Sequence, residues 1–179
     1  SGAYVTNYST VAIGDRAAAK NTMAIAIGRL ASSEGVSSIA IGDQATAASA
    51  AQSTIAIGES ANASANRAVA IGKSSSAGQE SLAVGTDSDA NALYATAVGY
   101  DADAGAKSAV AVGNGSIAAE RSVALGMLAK AGYHGVALGQ AAIAPEGGFV
   151  VASGAALTDV LLSGVMKTHL TMPNGQQFI

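Results

Sequence analysis

A pattern of four positions recurs eleven times along the chain: a branched residue, alanine, a second branched residue and glycine. The first copy, Val11-Ala12-Ile13-Gly14, and the tenth, Val136-Ala137-Leu138-Gly139, differ little. We align the eleventh copy as a degraded Val-Ala-Ser-Gly that ends at Gly154. The glycines lie 13 to 16 residues apart. A period this short predicts a solenoid, whose unit buries its apolar face only when neighbouring units stack on it.

Large and small residues alternate within each copy. Branched residues such as Ile25 and Ile27 flank an alanine, and this period of two predicts a short β-strand. We expect the branched face to fill the inside of each coil. The alanine face is then flat and packs against another copy of the chain, or its small residues merely suit a tight coil. The candidate oligomer-face residues are Ala12, Ala26, Ala40, Ala56, Ala70, Ala83, Ala97, Ala111, Ala124 and Ala137.

A second short strand is predicted after each glycine, because small residues recur at every other position. Ala17 and Ala19, or Ala129 and Ala131, are expected to point inward and meet the first strand across a thin core. The glycine lies at the corner between the two strands, where a residue without Cβ tolerates positive φ or a close backbone approach. The corner glycines are Gly14, Gly28, Gly42, Gly58, Gly72, Gly85, Gly99, Gly113, Gly126 and Gly139.

The predicted fold class is therefore all-β: a parallel β-roll of two-strand coils of about 14 residues. Eleven coils at about 4.8 Å each make a flattened rod roughly 50 Å long. The two extra residues between Gly42 and Gly58, near 48–50, are expected to bulge outward. A thin core buries little apolar area per residue, so we expect the rod to form oligomers.

Composition narrows the function classes. Half of the 179 residues are hydrophobic but only 4% are aromatic, so the apolar content is alanine and aliphatic residues of modest size. The net charge is −3 and the nine Lys and Arg residues are scattered, which argues against nucleic-acid binding. Cysteine is absent, which excludes disulfides and thiolate metal sites. No membrane-spanning run or signal sequence is present, so we expect any targeting and anchoring parts to lie outside this sequence.

Few residues suggest chemistry. His134 and His169 have no metal-ligand spacing and no partners for a catalytic triad, so no catalysis and no cofactor are expected. Hexapeptide-repeat acyltransferases, the nearest enzymatic neighbours, have a different period. A spacing of 14 stacks two pairs of carboxylates, which are either a weak candidate Ca²⁺ site or, as we favour, a solvated acidic edge. These residues are Asp87, Asp89, Asp101 and Asp103.

Few residues of this chain are of the types that anchor contacts with a partner, which are chiefly tryptophan, tyrosine and arginine. The exposed candidates for such contacts are Tyr94, Tyr100, Tyr133, Arg67 and Arg121.

The repeated phrase Ser/Thr-Val-Ala-Ile-Gly-x-x-Ala-x-Ala resembles the head repeat of trimeric autotransporter adhesins, the YadA-like head, over roughly residues 8 to 154. The copies at Ser9–Gly14, Ser37–Gly42 and Ser53–Gly58 carry the likeness best. The resemblance implies a left-handed parallel β-roll, a homotrimer, and display on a Gram-negative outer membrane. It also implies an adhesin head that attaches to host cells or to extracellular-matrix proteins such as collagen or fibronectin, with its membrane anchor elsewhere.

The chain departs from that family after its repeats. We divide it into head repeats at 1–154 and a capping or connector segment at 155–179, which lacks the family's neck and heptads. Leu157, Val160, Leu161, Val165 and Met166 suggest an amphipathic turn or capping strand, and Asn174-Gly175 suggests a hairpin. A phage-fibre or spacer segment is therefore the alternative function. An ice-binding solenoid ranks last, because no ladder of threonines is present.

Overall fold

The computed structural model describes residues 2–48 and 52–151, and the backbone of two short strands at 170–171 and 177–178. No helix occurs in these residues. The chain winds as a parallel β-solenoid of two layers, as predicted. Each coil runs through a three-residue strand, a first corner that begins with glycine, a two-residue strand and a second corner.

The three-residue strands form one continuous parallel sheet, here called the front sheet. Its strands, in spatial order, are β2 (Val11–Ile13), β4 (Ile25–Ile27), β6 (Ile39–Ile41), β8 (Ile55–Ile57), β10 (Val69–Ile71), β12 (Leu82–Val84), β14 (Thr96–Val98), β15 (Val110–Val112), β17 (Val123–Leu125), β19 (Val136–Leu138) and β21 (Phe149–Val151). Neighbouring strands pair in register, so that each alanine lies beside the alanine of the next coil.

The two-residue strands form the back layer, which consists of two parallel sheets. The first sheet contains β1 (Tyr4–Val5), β3 (Ala18–Ala19), β5 (Ser32–Ser33), β7 (Thr46–Ala47), β9 (Asn62–Ala63), β11 (Ser76–Ala77) and β13 (Asp89–Ala90). The second sheet contains β16 (Ile117–Ala118), β18 (Lys130–Ala131) and β20 (Ile143–Ala144). Single bridges through Asp103 connect the two sheets.

The core between the two layers consists mainly of alanine and serine, and this overturns our expectation about the faces. The front-sheet alanines from Ala26 to Ala137 are fully buried within the single chain, while the flanking branched residues face outward. The following residues therefore line the inside of the coil and do not face another chain: Ala26, Ala40, Ala56, Ala70, Ala83, Ala97, Ala111, Ala124 and Ala137. Ala12, in the first coil, is half-buried on the same side.

The short corners explain why the small side chains are inside. Ala97 of β14 and Ala102 of the following back segment are both buried, although only 98–101 separate them. Corners of this length hold the two layers close together, so methyl groups fill the space between them and a branched side chain would overpack it. The inward alanines of the back layer, such as Ala17, Ala19 and Ala129, lie where the sequence placed them.

The buried serine hydroxyl groups in this core are hydrogen-bonded to the corners, whereas the Oγ1 atom of the buried Thr54 has no hydrogen-bond partner among the described residues. Ser75 donates to the carbonyl of Gly72 at 2.9 Å, and Ser116 donates to that of Gly113 at the same distance. Ser122 likewise donates to the carbonyl of Ala119 at 2.8 Å. Serine therefore replaces alanine without leaving a buried polar group unpaired, which is why the inward columns accept both residues.

Glycine is required at the first corner for two reasons. Gly99 has φ +140°, and a Cβ built on it would lie 2.6 Å from the carbonyl oxygen of Gly113 in the next coil. Every corner glycine from Gly14 to Gly139 has φ between +110° and +140°. The backbones of neighbouring coils thus approach too closely at this corner for any side chain.

The end of the array differs from our alignment of the sequence. Phe149 pairs with Val136, Val150 with Ala137 and Val151 with Leu138, so Val150 occupies the alanine column. The eleventh copy is therefore Phe149–Val151, two residues earlier than the Val-Ala-Ser-Gly that we aligned to Gly154. The glycine spacing misled the alignment here because Ala152, not glycine, follows this strand.

Two other local predictions concern the insertion and the C-terminal hairpin. Pairing of β6 with β8 and of β7 with β9 continues across the insertion at 48–50, most of which lies outside the described residues. β22 (Leu170–Thr171) and β23 (Gln177–Phe178) pair antiparallel, as predicted for a hairpin about Asn174-Gly175. The apolar residues predicted to cap the rod, Leu157 to Met166, lie outside the described residues, as does His169.

Each coil also places non-glycine residues in the left-handed region, which the sequence did not predict. Ser60 and Ser74 at first corners have φ of 57° and 53°, and both are exposed. An L-residue in this conformation costs about 1–2 kcal/mol relative to glycine.

We expect Ser60→Gly and Ser74→Gly to stabilise the protein, each by about 0.5–1 kcal/mol, because the relieved strain exceeds the chain entropy that glycine adds to the unfolded state. Chemical denaturation measures the change. Ser60→Ala and Ser74→Ala are the matched controls, since alanine retains the strain and should give no gain. Equal effects of the glycine and alanine variants would contradict this explanation.

Candidate functional site

The outward side of the front sheet is a continuous apolar surface, and we call it the front face. Each of the eleven strands contributes two outward positions, and every one is aliphatic or aromatic except Thr96. These residues are half-buried or exposed in the single chain; Ile71 and Leu125, for example, are 36% and 39% exposed. An apolar strip about 50 Å long is unusual on a monomeric protein and marks an interaction surface.

The front-face residues are Val11, Ile13, Ile25, Ile27, Ile39, Ile41, Ile55, Ile57, Val69, Ile71, Leu82, Val84, Thr96, Val98, Val110, Val112, Val123, Leu125, Val136, Leu138, Phe149 and Val151.

The opposite surface, here called the back face, is polar over its N-terminal half. Its outward column carries small or polar residues, such as Ser32, Thr46, Asn62 and Ser76. Charged residues beside this column pair between adjacent coils. The pairs are Lys20 with Glu34, Arg29 with Asp43, and Lys73 with Glu59. Such exposed ion pairs contribute little to the stability of the fold. This part of the back face therefore has the character of an ordinary solvent-exposed surface.

The carboxyl group of Glu34 has a lowered pKa in the folded protein. Its hydrogen bond from Lys20 is the main cause that lowers the pKa of Glu34, and a hydrogen bond from Ser32 adds to the effect. A carboxyl group whose pKa is lowered on folding stabilises the fold at neutral pH and loses that contribution as the pH falls through its folded-state pKa.

The four aspartates stack between neighbouring coils, but two of them are engaged with the backbone. The carboxylate of Asp89 accepts a hydrogen bond from the amide of Asn91 at 2.9 Å, and that of Asp103 accepts one from Gly105 at 2.8 Å. In other coils the corresponding amide donates to the next coil, as Gly78 does to Ala90. These local bonds compete with the ladder and explain why the back layer divides here.

Among the described residues, no group of three or more His, Cys, Asp or Glu side chains is placed to hold a metal ion. Asp87 and Asp101 lie at exposed first corners with φ near 55°. The solvated acidic edge, which was the favoured interpretation of the sequence, stays a prediction, as does the weaker candidate Ca²⁺ site.

The second corners bring together candidate contact residues that are far apart in sequence. Arg67, Tyr94 and Arg121 each occupy the left-handed position of a second corner, two coils apart on one edge of the rod. Tyr133 stacks on His134 with ring centroids 4.0 Å apart, and Arg121 lies 3.5 Å from the Nε2 atom of His134. Tyr100, in contrast, lies at a first corner on the other edge. Sequence reasoning missed this grouping because these residues share a column only when the corners are aligned.

The same edge carries a shallow cavity of about 300 Å³ between the second corners of three coils. An ion pair from Arg67 to Glu80, at 2.9 Å, lies across it. The other lining residues are Gln52, Ser53, Asn66 and Gln79. A cavity with so little apolar lining lacks the usual character of a small-molecule pocket.

Comparison with known proteins decides the family. The model of the YadA head domain repeat matches residues 6–31, 33–54, 49–75, 76–102 and 90–116, which together span more than half of the chain. The chain belongs to the YadA head family. Membership of this family supports an adhesin-type role for the protein.

A solved structure shows the same fold. The crystal structure of the collagen-binding domain of the Yersinia adhesin YadA matches with a TM-score of 0.52 and 22% sequence identity. The match covers 95% of this chain and 96% of that one. No curated protein sequence matches the chain. The described part of this YadA-like head contains no helix capable of crossing a membrane.

Proposed function

We propose that this YadA-like head is the non-catalytic, ligand-binding head of a homotrimeric surface adhesin. Three copies pack their front faces about a common axis, and the back faces point outward. The continuous apolar front face carries the proposal, because it is left uncovered by the single chain, while the opposite face is polar from β5 to β11. The number three and the left-handed winding are what the family implies.

Apolar burial supplies the driving force for such a trimer. The coil interior contains mainly alanine and serine, so the bulky Ile, Val and Leu side chains of the front face are buried only between copies. Burying one such side chain contributes about 1.5–3 kcal/mol. Nearly every coil adds two of them, and therefore most of the large apolar side chains of the rod become buried on assembly.

The proposed ligands are host extracellular-matrix proteins, with collagen and fibronectin as the first probes. The structurally similar Yersinia domain is described as collagen-binding, and this supports the choice of collagen. A rod without a deep apolar pocket is suited to many shallow contacts, and three copies raise the effective concentration of each contact. The proposed location is the outer surface of a Gram-negative cell, with an anchor outside this sequence.

Binding to immobilised collagen and fibronectin tests the proposal, with albumin as the negative surface. We expect saturable binding by the wild-type protein. A variant that no longer forms trimers should bind at least about 100-fold more weakly, since it loses multivalency. Binding to neither matrix protein nor to mammalian cells would contradict the adhesin head and favour the alternative, a fibre or spacer segment.

A further inference from the structure

The back face changes character in its C-terminal coils. Ile117, Lys130 and Ile143 are successive outward residues of β16, β18 and β20, and they lie in register at about 4.8 Å spacing. Ile117 is 41% exposed and Ile143 is 67% exposed, whereas the strands from β5 to β11 carry serine, threonine or asparagine at this position. Leu128 is 50% exposed and leans over Gly115, towards the coil of Ile117. We call these four residues the C-terminal patch.

The charge of this patch is uncompensated. Lys130 forms no ion pair with any residue that the structure describes, whereas Lys20, Arg29 and Lys73 of the earlier coils pair with carboxylates of adjacent coils. An exposed ammonium group between two exposed isoleucines is not needed for the fold, because Ala129 and Ala131 on the other side form the core. Apolar groups around an unpaired charge are typical of a contact surface.

We propose that the C-terminal patch binds an extended polypeptide that carries an acidic residue between apolar side chains. The carboxylate pairs with Lys130, and the apolar side chains cover Ile117, Ile143 and Leu128. This inference rests on the proposed adhesin role and assigns its ligand contact. The patch lies on the back face, opposite the front face, so it remains accessible when three copies assemble.

The neighbouring aspartates set the orientation in which the partner segment binds. Asp89 and Asp103 precede Ile117 in the same outward column, so the column runs from negative charge to an apolar and positive patch. A partner carboxylate is repelled at the Asp103 end and attracted at Lys130. The bound segment therefore places its acidic residue towards β18 and not towards β13.

The test uses two probes and a matched control variant. The peptide probes are a fluorescent synthetic peptide with Leu-Asp-Ile at its centre and the same peptide with asparagine in place of aspartate. Immobilised collagen and fibronectin are the second probe. The patch variants are Lys130→Glu and the double variant Ile117→Ser with Ile143→Ser. Asn62→Glu is the control, because Asn62 occupies the same column on β9, outside the patch.

We expect the wild-type protein to prefer the aspartate peptide, and Lys130→Glu to weaken that binding about fivefold. On the multivalent matrix surface the patch variants should lose about tenfold or more, while Asn62→Glu binds as the wild type does. Circular dichroism spectra and solution mass are the controls, and both should be unchanged if the patch variants remain folded and assembled.

The outcomes separate this inference from the proposed function. Matrix binding that is equal in wild type and patch variants would overturn the patch and leave the adhesin role intact. Preference for the aspartate peptide without matrix binding would support the patch and contradict the matrix ligand. Equal or absent binding of the two peptides by the wild-type protein would overturn the patch.

Discussion

Replacing Gly99 with alanine is expected to lower the free energy of unfolding by about 2–6 kcal/mol, which combines backbone strain with overpacking. The φ of +140° is one that L-residues rarely adopt, and the new Cβ would lie 2.6 Å from the carbonyl oxygen of Gly113. Gly113 is unable to move away easily, because its amide donates to the carbonyl of Val98 at 2.8 Å. Native stabilities are about 5–15 kcal/mol, so this one methyl group removes much of the total.

Gly147→Ala is the matched control for that variant. Gly147 also has a positive φ, +64°, but nothing lies within 4 Å of a Cβ built on it. Alanine should therefore cost only about 1–2 kcal/mol there. Denaturation curves of the two variants compare the costs directly. Similar losses at Gly99 and Gly147 would show that backbone conformation alone matters and that close stacking of the coils does not.

A charge on the front face is expected to abolish the trimer. Val98→Asp together with Val112→Asp places carboxylates on adjacent coils in the middle of the front face. Each buried, unpaired carboxylate costs several kcal/mol, and a trimer would contain six of them. We expect the assembly to dissociate and the protein to lose stability. The stability of the wild type should rise with protein concentration, whereas that of the variant should not depend on it.

A carboxylate on the back face is the control for this effect. Thr46→Asp introduces the same charge on β7, where the side chain is half-buried and faces outward. This variant should retain the wild-type mass and nearly the wild-type stability. Loss of assembly in Thr46→Asp, with none in the front-face variant, would mean that the copies associate through the back face.

Much of the fold follows from the sequence because the repeat constrains it strongly. Alternation in Ile25-Ala26-Ile27 identifies a strand, and repetition at about 14 residues stacks the strands in parallel and in register. Glycine at every first corner, such as Gly28, identifies the turn. A pattern that recurs in every coil reports a shared environment, so these local conclusions reinforce one another.

Which face of the strand lies inside did not follow from the sequence. Alternation defines two faces but not their direction, and the usual preference for large residues in a core pointed the wrong way for Ile25 and Ala26. The decisive signal was present in the length of the corners and in the alanines of the second strand, such as Ala31. Small residues on both facing strands leave a gap too narrow for isoleucine.

The left-handed residues of the second corners were not predicted, because these residues give no local signal. Met23, Arg67, Tyr94 and His134 all adopt a left-handed conformation there, although none is typical of it. Stacking of each coil on its neighbours imposes this conformation. The grouping of Arg67, Tyr94 and Arg121 on one edge was missed for the same reason.

The solution mass of the protein, measured by light scattering for the wild type and for the variant with Val98→Asp and Val112→Asp, tests the central claim most directly. A wild-type mass of about three times the 17.2 kDa chain, reduced by the front-face variant, is the predicted result. A wild-type protein that is a stable monomer at all concentrations, with the variant equally stable, would contradict it. The front face would then be an exposed binding surface of a single-chain solenoid.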